Sequence, residues 1–213
     1  MNARRMILIN VVIILVIIIA GFVGYYFYNQ STLYLTTDNA QIAGQEIPVA
    51  APAAGKLVSW DGTVGTTFSS GDTVGKLQIA PGRDVNIVMP ASGTVVNNDA
   101  VDNEIVGAGT PLAYAYDMKS LWVTANIKET QINKVKVGQA VDVYVDAFKG
   151  TTITGTVSQI GLATASTFSL LPSSNDNANF TKVTQVIPVK ISLQGYQGIG
   201  LAPGMSVSVR IHK

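Results

Sequence analysis

Hydrophobic and polar positions along this chain follow two regimes. From Met6 to Tyr28 the residues are apolar or aromatic, and Asn10 is the one polar exception. Twenty-three residues of helix rise roughly 34 Å, enough to cross a hydrocarbon core of ~30 Å. Beyond Tyr28 the apolar positions alternate with polar ones. Leu33 to Ile42 reads as an extended segment. Over Ser120–Ile127, Leu121, Val123, Ala125 and Ile127 alternate with Trp122, Thr124 and Asn126, which predicts a strand. Gln139–Asp146 has the same period of two. Thr151–Ile160 is a further strand, with Gly155 read as a bulge, and Val183–Leu193 and Ser206–Ile211 are the last two. Lys128–Lys136 is polar, with Ile132 and Val135 three apart, and predicts one or two helical turns. Ser169–Phe180 is rich in Ser, Asn and Asp and reads as a long loop. Short strands at this spacing, without long helices between them, predict an all-β unit closed into a small barrel.

Between the extended segment and that unit the chain repeats itself. Val49–Val58 reads without a gap against Ile87–Val96, and Gly71-Asp72-Thr73-Val74 reads against Gly109-Thr110-Pro111-Leu112. Pro52 and Pro90, Gly55 and Gly93, and Gly71 and Gly109 are each 38 residues apart. Each copy is too small to bury its own apolar face, so the two are expected to interlock as one β-sandwich. Gly55, Gly71, Gly93 and Gly109 are read as turn formers, because glycine serves positive-φ turns. Ala80-Pro81-Gly82-Arg83-Asp84 joins the copies, and Pro-Gly predicts a short hairpin there.

Charge orients the apolar helix. Arg4 and Arg5 precede it, and the next cationic side chain is Lys56. An excess of basic residues stays on the cytoplasmic side, so the N-terminus is expected in the cytoplasm and everything after Tyr28 outside it. The length of the run and its ending in Tyr25-Tyr26-Phe27-Tyr28 favour an uncleaved anchor with an interfacial aromatic belt over a signal peptide. Net charge is +1 for the chain. No basic stripe exists, which removes the electrostatic term that nucleic-acid binding needs. There is no cysteine, so neither disulfides nor a thiol-linked lipid is available.

Candidate chemistry is thin. His212 is the single histidine and is read as a solvated side chain, not a metal ligand. Asp142 and Asp146, at i and i+4 of the expected strand, are read as an exposed sheet face. No nucleophile–base pattern is present, so the chain reads as a non-enzyme with no catalytic residue, metal or cofactor.

The two half-motifs, V-x-x-P-x-x-G-x-V followed by G-D-x-V, resemble the lipoyl/biotinyl domain. The rest of the chain is more specific. Thr37-Asp38-Asn39-Ala40-Gln41-Ile42-Ala43-Gly44, then Leu121-Trp122-Val123-Thr124-Ala125-Asn126 with Glu129-Thr130, and Val137-Gly138-Gln139-Ala140-Val141 resemble motifs of HlyD/EmrA-type membrane fusion proteins. These are adaptor subunits of drug-efflux and secretion systems. Phe168-Ser169-Leu170-Leu171-Pro172, Asn179-Phe180-Thr181-Lys182-Val183, and Gln185 with Ile187-Pro188-Val189-Lys190-Ile191 resemble the EmrA branch. The resemblance implies a mainly β protein with an N-terminal transmembrane helix, a lipoyl-like sandwich, a small β-barrel and a membrane-proximal β-domain built from both ends of the exported chain. The corresponding division is a cytoplasmic tail (1–5), a transmembrane helix (6–28), a membrane-proximal segment (29–46), a lipoyl-like domain (47–117, half-motifs 47–79 and 85–117), a barrel (118–182), and the barrel's end with membrane-proximal strands (183–213).

The resemblance also implies a partner: an integral-membrane transporter, typically a proton-coupled major-facilitator exporter, served by an oligomeric adaptor. Three positions depart from the pattern. The family inserts a long helical hairpin between the lipoyl halves, whereas Ile79–Asn86 alone joins them here. Val186 stands where the branch has Arg, and Phe180 where it has Trp. Pro81, Gly82 and Arg83, at the place where longer relatives extend, become the candidate partner contact. Two other functions are open to such a sequence. A lipoyl or biotin carrier needs a lysine at the hairpin tip; Arg83 stands there instead, and its guanidinium is not the amine a ligase acylates. A free-standing envelope module would need no transporter at all.

Overall fold

The computed structural model describes residues 3–168 and 184–213, the side chains of residues 3–9 and 27–31 excepted. The loop expected over Ser169–Phe180, and Phe180 itself, lie outside the described residues. Helix α1 (Ala3–Leu33) runs 31 residues, and its side chains from Asn10 to Tyr26 are exposed on every side. Among the described residues, no helix is long and apolar enough to cross a membrane. The span expected over 6–28 takes in side chains outside the described set and rests on the sequence.

The repeat folds as expected. Strands β2 (Glu46–Ala50), β3 (Gly55–Trp60), β4 (Thr67–Phe68) and β5 (Thr73–Ala80) come from the first copy; β6 (Arg83–Val88), β7 (Gly93–Asn98), β8 (Ile105–Val106) and β9 (Pro111–Tyr116) come from the second. One sheet has the order β2-β9-β7-β4 and the other β6-β5-β3-β8. Each sheet therefore takes two strands from each copy, and exchanging the copies maps one sheet onto the other. Neither half has a sheet of its own, which is why neither could fold alone. The core between the sheets repeats too: Val49, Leu57 and Val74 of the first copy and Ile87, Val95 and Leu112 of the second are buried.

Two of the four repeat glycines are turn formers and two are not. Gly71 and Gly109 have φ of +89° and +79°, where a side chain is strained. Gly55 and Gly93 open β3 and β7 without a positive φ. A Cβ on Gly55 would lie 2.5 Å from the Gln78 carbonyl oxygen, and one on Gly93 would lie 3.1 Å from Ile47 Cδ1 and from the Tyr116 carbonyl oxygen. These two permit close approach of backbone. Asn103, at φ +69°, stands 38 residues after Gly65, at φ +92°, so the second copy uses the residue that best tolerates this region after glycine.

The remaining strands are β1 (Tyr34–Ala43), β10 (Trp122–Lys128), β11 (Ala140–Val145), β12 (Thr152–Ile160), β13 (Val186–Gln194) and β14 (Ser206–His212). They close into one barrel of order β1-β10-β13-β12-β11-β14. The 3-10 turn at Glu129–Lys134 occupies the expected helical stretch. The period-two pattern does its work here: Val207, Val209 and Ile211 point inward with Val123, Val143 and Ile191, while Ser208, Arg210 and His212 face outward. Two expectations are corrected. A separate membrane-proximal β-domain is not formed by the segment within 29–46 and the strands within 183–213; β1, β13 and β14 are barrel strands, because β1 supplies the one strand that pairs with both β10 and β14. The bulge of β12 falls between Val157 and Gln159, not at Gly155, where a Cβ would stand 2.7 Å from the Ser192 carbonyl oxygen.

Gly44-Gln45 and the turn Asp117–Ser120 are the two chain crossings between sandwich and barrel. Asp117 Oδ2 accepts from the Ser120 hydroxyl and Oδ1 from the Lys119 amide. The hydroxyl first, then the amide, hold its carboxyl below the usual range.

Candidate functional site

The hairpin between the repeat halves is closed by Pro81-Gly82, with Ala80 paired to Arg83. Proline at the first central position and a φ of +74° at Gly82 define a type II turn. Such a turn splays a right-twisted hairpin. A register shift between Gln78 and Ala80 adds the local twist that compensates. Residues 80–84 are all exposed. Lys76 lies inside β5, opposite Asn86 and Ser59, so the amine a carrier needs is absent from the turn.

Two motif segments far apart in sequence meet on the barrel. Thr37 Oγ1 donates to the Asn126 carbonyl at 3.2 Å, the Asn39 amide donates to Thr37 Oγ1 at 3.2 Å, and Asn126 Nδ2 donates to Asn39 Oδ1 at 3.0 Å. This knot sits where β1 shifts register between Thr37 and Ala40. It pins the bulge that lets one strand serve two neighbours.

Below the knot, the outer face of β1, β14 and β11 holds the polar cluster that local periodicity missed. His212 is not simply solvated: its Nε2 lies 2.9 Å from Asp142 Oδ2, and Tyr34 meets its ring edge-on at 5.0 Å. With His212 42% and Asp142 27% exposed, the pair is a surface contact of modest strength. Asp146 falls one residue past the end of β11 and is exposed, its amide donating to the Ser206 carbonyl. Arg210 lies between two rings, its guanidinium carbon 5.3 Å from the Tyr34 centroid and 5.5 Å from that of Tyr144. Asp142 stands directly across from it, yet that carboxylate is turned to His212. Arg210 Nε is buried with no hydrogen-bond partner. Arg210 lines an open cleft of about 360 Å³ with Thr36, Thr37, Asp38, Tyr144 and Ser208.

A second cleft, of about 580 Å³, lies at the junction of the domains between Gln41–Gly44, Tyr116 and Ala202–Gly204. Tyr116 donates to Glu46 Oε2 at 2.9 Å; burial first, then that bond and the carboxylate charge, push its phenol above the ordinary value. Among the described residues no group of three or more His, Asp or Glu side chains could hold a metal ion.

The chain matches two family models. One is described as YhbJ, barrel-sandwich hybrid domain, over residues 46–117; the other as YknX-like beta-barrel domain, over residues 121–211. It is 48% identical over 211 residues to YhbJ of Bacillus subtilis (strain 168), named as an efflux system component, covering 99% of this chain and 94% of that one. This chain is an HlyD/EmrA-type membrane fusion protein. The membrane fusion protein is a short form. Against the colistin resistance protein EmrA of Acinetobacter baumannii it is 39% identical over 126 residues, 59% of this chain and 36% of that protein. The match thus spans about a third of the EmrA relative's length. Among solved structures, ZneB from Cupriavidus metallidurans shares the fold, with a TM-score of 0.65 at 16% identity, covering 84% of this chain and 98% of that one.

In this membrane fusion protein the place expected to carry a helical hairpin is the two-residue turn Pro81-Gly82. Val186, the other departure within the described residues, opens β13 opposite Lys128.

Proposed function

We propose that this chain is a non-enzymatic, membrane-anchored adaptor of an efflux transporter, with a proton-coupled major-facilitator exporter as its partner. The observation that carries the reading is the 48% identity, along nearly the whole of both chains, to an efflux system component. The exposed apolar girth of α1 supports anchoring: a helix apolar on all sides calls for lipid or protein around it, not water. In this reading residues 6–28 cross the membrane once, Arg4 and Arg5 stay in the cytoplasm, and the barrel and sandwich lie outside. The adaptor assembles as a homo-oligomer, and the exposed turn Pro81, Gly82, Arg83 contacts another subunit or an envelope partner.

Topology is tested by adding protease to intact spheroplasts. The exported domains are expected to be degraded, and replacement of Arg4 and Arg5 by Glu is expected to shift part of the population to protection. Full protection of the native chain would refute the orientation.

Function is tested by a drug-efflux assay in a strain lacking the native gene, with protein level measured in parallel. The full chain should restore efflux. A chain starting at Thr32 should fold yet restore little, because the anchor supplies the effective concentration for a weak contact. Arg83→Ala should change stability by less than ~0.5 kcal/mol while lowering efflux. Full activity without the anchor would overturn the adaptor mechanism; unchanged efflux in Arg83→Ala would remove only the turn from the contact surface.

A further inference from the structure

We infer that the cleft around Arg210 on the barrel's outer face receives a carboxylate side chain from an extracytoplasmic loop of the partner transporter. This rests on the adaptor reading above. Among the described residues the Arg210 guanidinium makes no salt bridge, and its Nε is buried without a hydrogen-bond partner. The carboxylate that its strand register offers, Asp142, is occupied by His212 at 2.9 Å. The rings of Tyr34 and Tyr144 flank the guanidinium and fix its place. The terminal nitrogens of a guanidinium held in this way form a fork of donors that a carboxylate entering the cleft satisfies with two parallel bonds, while the buried Nε stays inside the fold.

The rest of the cleft selects a protein loop as the source. Asp38 lines the same cleft as Arg210, so its formal charge is balanced. A free anion or a phosphate group would meet Asp38 with nothing to offer it. A peptide loop brings an acidic side chain to Arg210 and backbone or side-chain donors to Asp38 and to the hydroxyls of Thr36 and Ser208. Height above the membrane argues the same way. The Lys213 amide bonds to the Leu33 carbonyl at 2.9 Å, so both β1 and β14 meet the end of α1. Thr36 and Arg210 stand three residues further on, about 10 Å along a strand. The helix itself continues five residues past Tyr28, about 7.5 Å. For an upright helix the cleft stands roughly 17 Å beyond the aromatic belt, above a headgroup layer of about 5–8 Å and level with the loops of a neighbouring transporter.

The test uses the full chain in its own membrane, with the photo-cross-linking residue p-benzoylphenylalanine placed at Ser208 and, separately, at Thr36. The adduct is digested and sequenced by mass spectrometry. The expected product joins the cleft to an extracytoplasmic loop of a polytopic transporter containing Asp or Glu. Its yield should fall at least fivefold in Arg210→Gln, fall less in Arg210→Lys, and hold or rise in Asp38→Asn. Arg210→Glu should abolish the adduct, and changing the identified acidic residue to Arg should restore it; recovery in the double variant shows that the single variant was folded. An adduct with lipid or with a second copy of this chain, a yield indifferent to Arg210→Gln, or no adduct at either position would overturn the inference. Co-purification of the transporter with the full chain is followed in parallel. If it persists while the adduct fails, the cleft assignment falls and the adaptor reading stands; if both are lost in the unsubstituted chain, the adaptor reading falls with it.

Discussion

A chain beginning at Gln45 should lose its barrel and keep its sandwich. β1 is hydrogen-bonded on both sides, to β10 and to β14, so its removal converts a closed barrel into a five-stranded sheet with two open edges. It also removes Leu35, Ala40 and Ile42, all buried in the barrel core. Loss of the two larger side chains alone withdraws about 1.5–3 kcal/mol each, and unpaired edges invite aggregation. The sandwich has its own core, around Val49, Leu57 and Ile87, drawn wholly from residues after 45. A chain from Thr32 retains β1 and should keep both units. Native-state hydrogen exchange distinguishes them: in the Gln45 chain the amides of β10–β14 should exchange freely while those of β5, β7 and β9 stay protected. Protected barrel amides in that chain would show that β1 is dispensable for closure.

The second large effect is a graded series at the repeat glycines. Gly55→Ala should cost about 3–4 kcal/mol. Its Cβ would lie 2.5 Å from the Gln78 carbonyl oxygen and 3.0 Å from Leu77 Cγ, and neither a paired strand backbone nor a buried leucine stem yields cheaply. Gly93→Ala should cost about 1–2 kcal/mol, since the nearest atoms stand at 3.1 Å and one is the tip of the Ile47 side chain. Gly71→Ala and Gly109→Ala meet open space but hold φ of +89° and +79°, a strain of about 1–2 kcal/mol. Urea unfolding of the four variants measures the series. A Gly55→Ala chain as stable as Gly71→Ala would mean that β3 and β5 can part without loss.

The series marks what a single sequence can tell. The repeat is legible because matched residues at a fixed offset report matched environments, and each half carries its strands and turns locally. What a glycine does within that pattern is not legible: Gly55 and Gly71 look alike as letters, and the distance to Gln78 and the sign of φ separate them. The strands of the barrel can be read from alternation, but its closure cannot, because β1 meets β14 across nearly the whole chain. The Asp142–His212 contact is hidden for the same reason, since it arises from the pairing of β11 with β14. Thr37, Asn39 and Asn126 could be singled out as motif residues, yet their mutual bonds became visible only once β1 lay beside β10. Arg210 carried no signal, because an arginine without a partner is a fact about its surroundings.

The path of β1 has a mechanical meaning. It leaves α1 at Tyr34, crosses the barrel and delivers the chain to the sandwich through the two residues Gly44 and Gln45. Any pull between α1 and the hairpin turn therefore runs lengthwise along a single strand of about 33 Å. Neighbours grip that strand on both sides, so the load is borne in shear, with its hydrogen bonds resisting together and not peeling away one at a time. The barrel works as a clamp around a tie-rod, and the distance between α1 and the sandwich stays constant under tension.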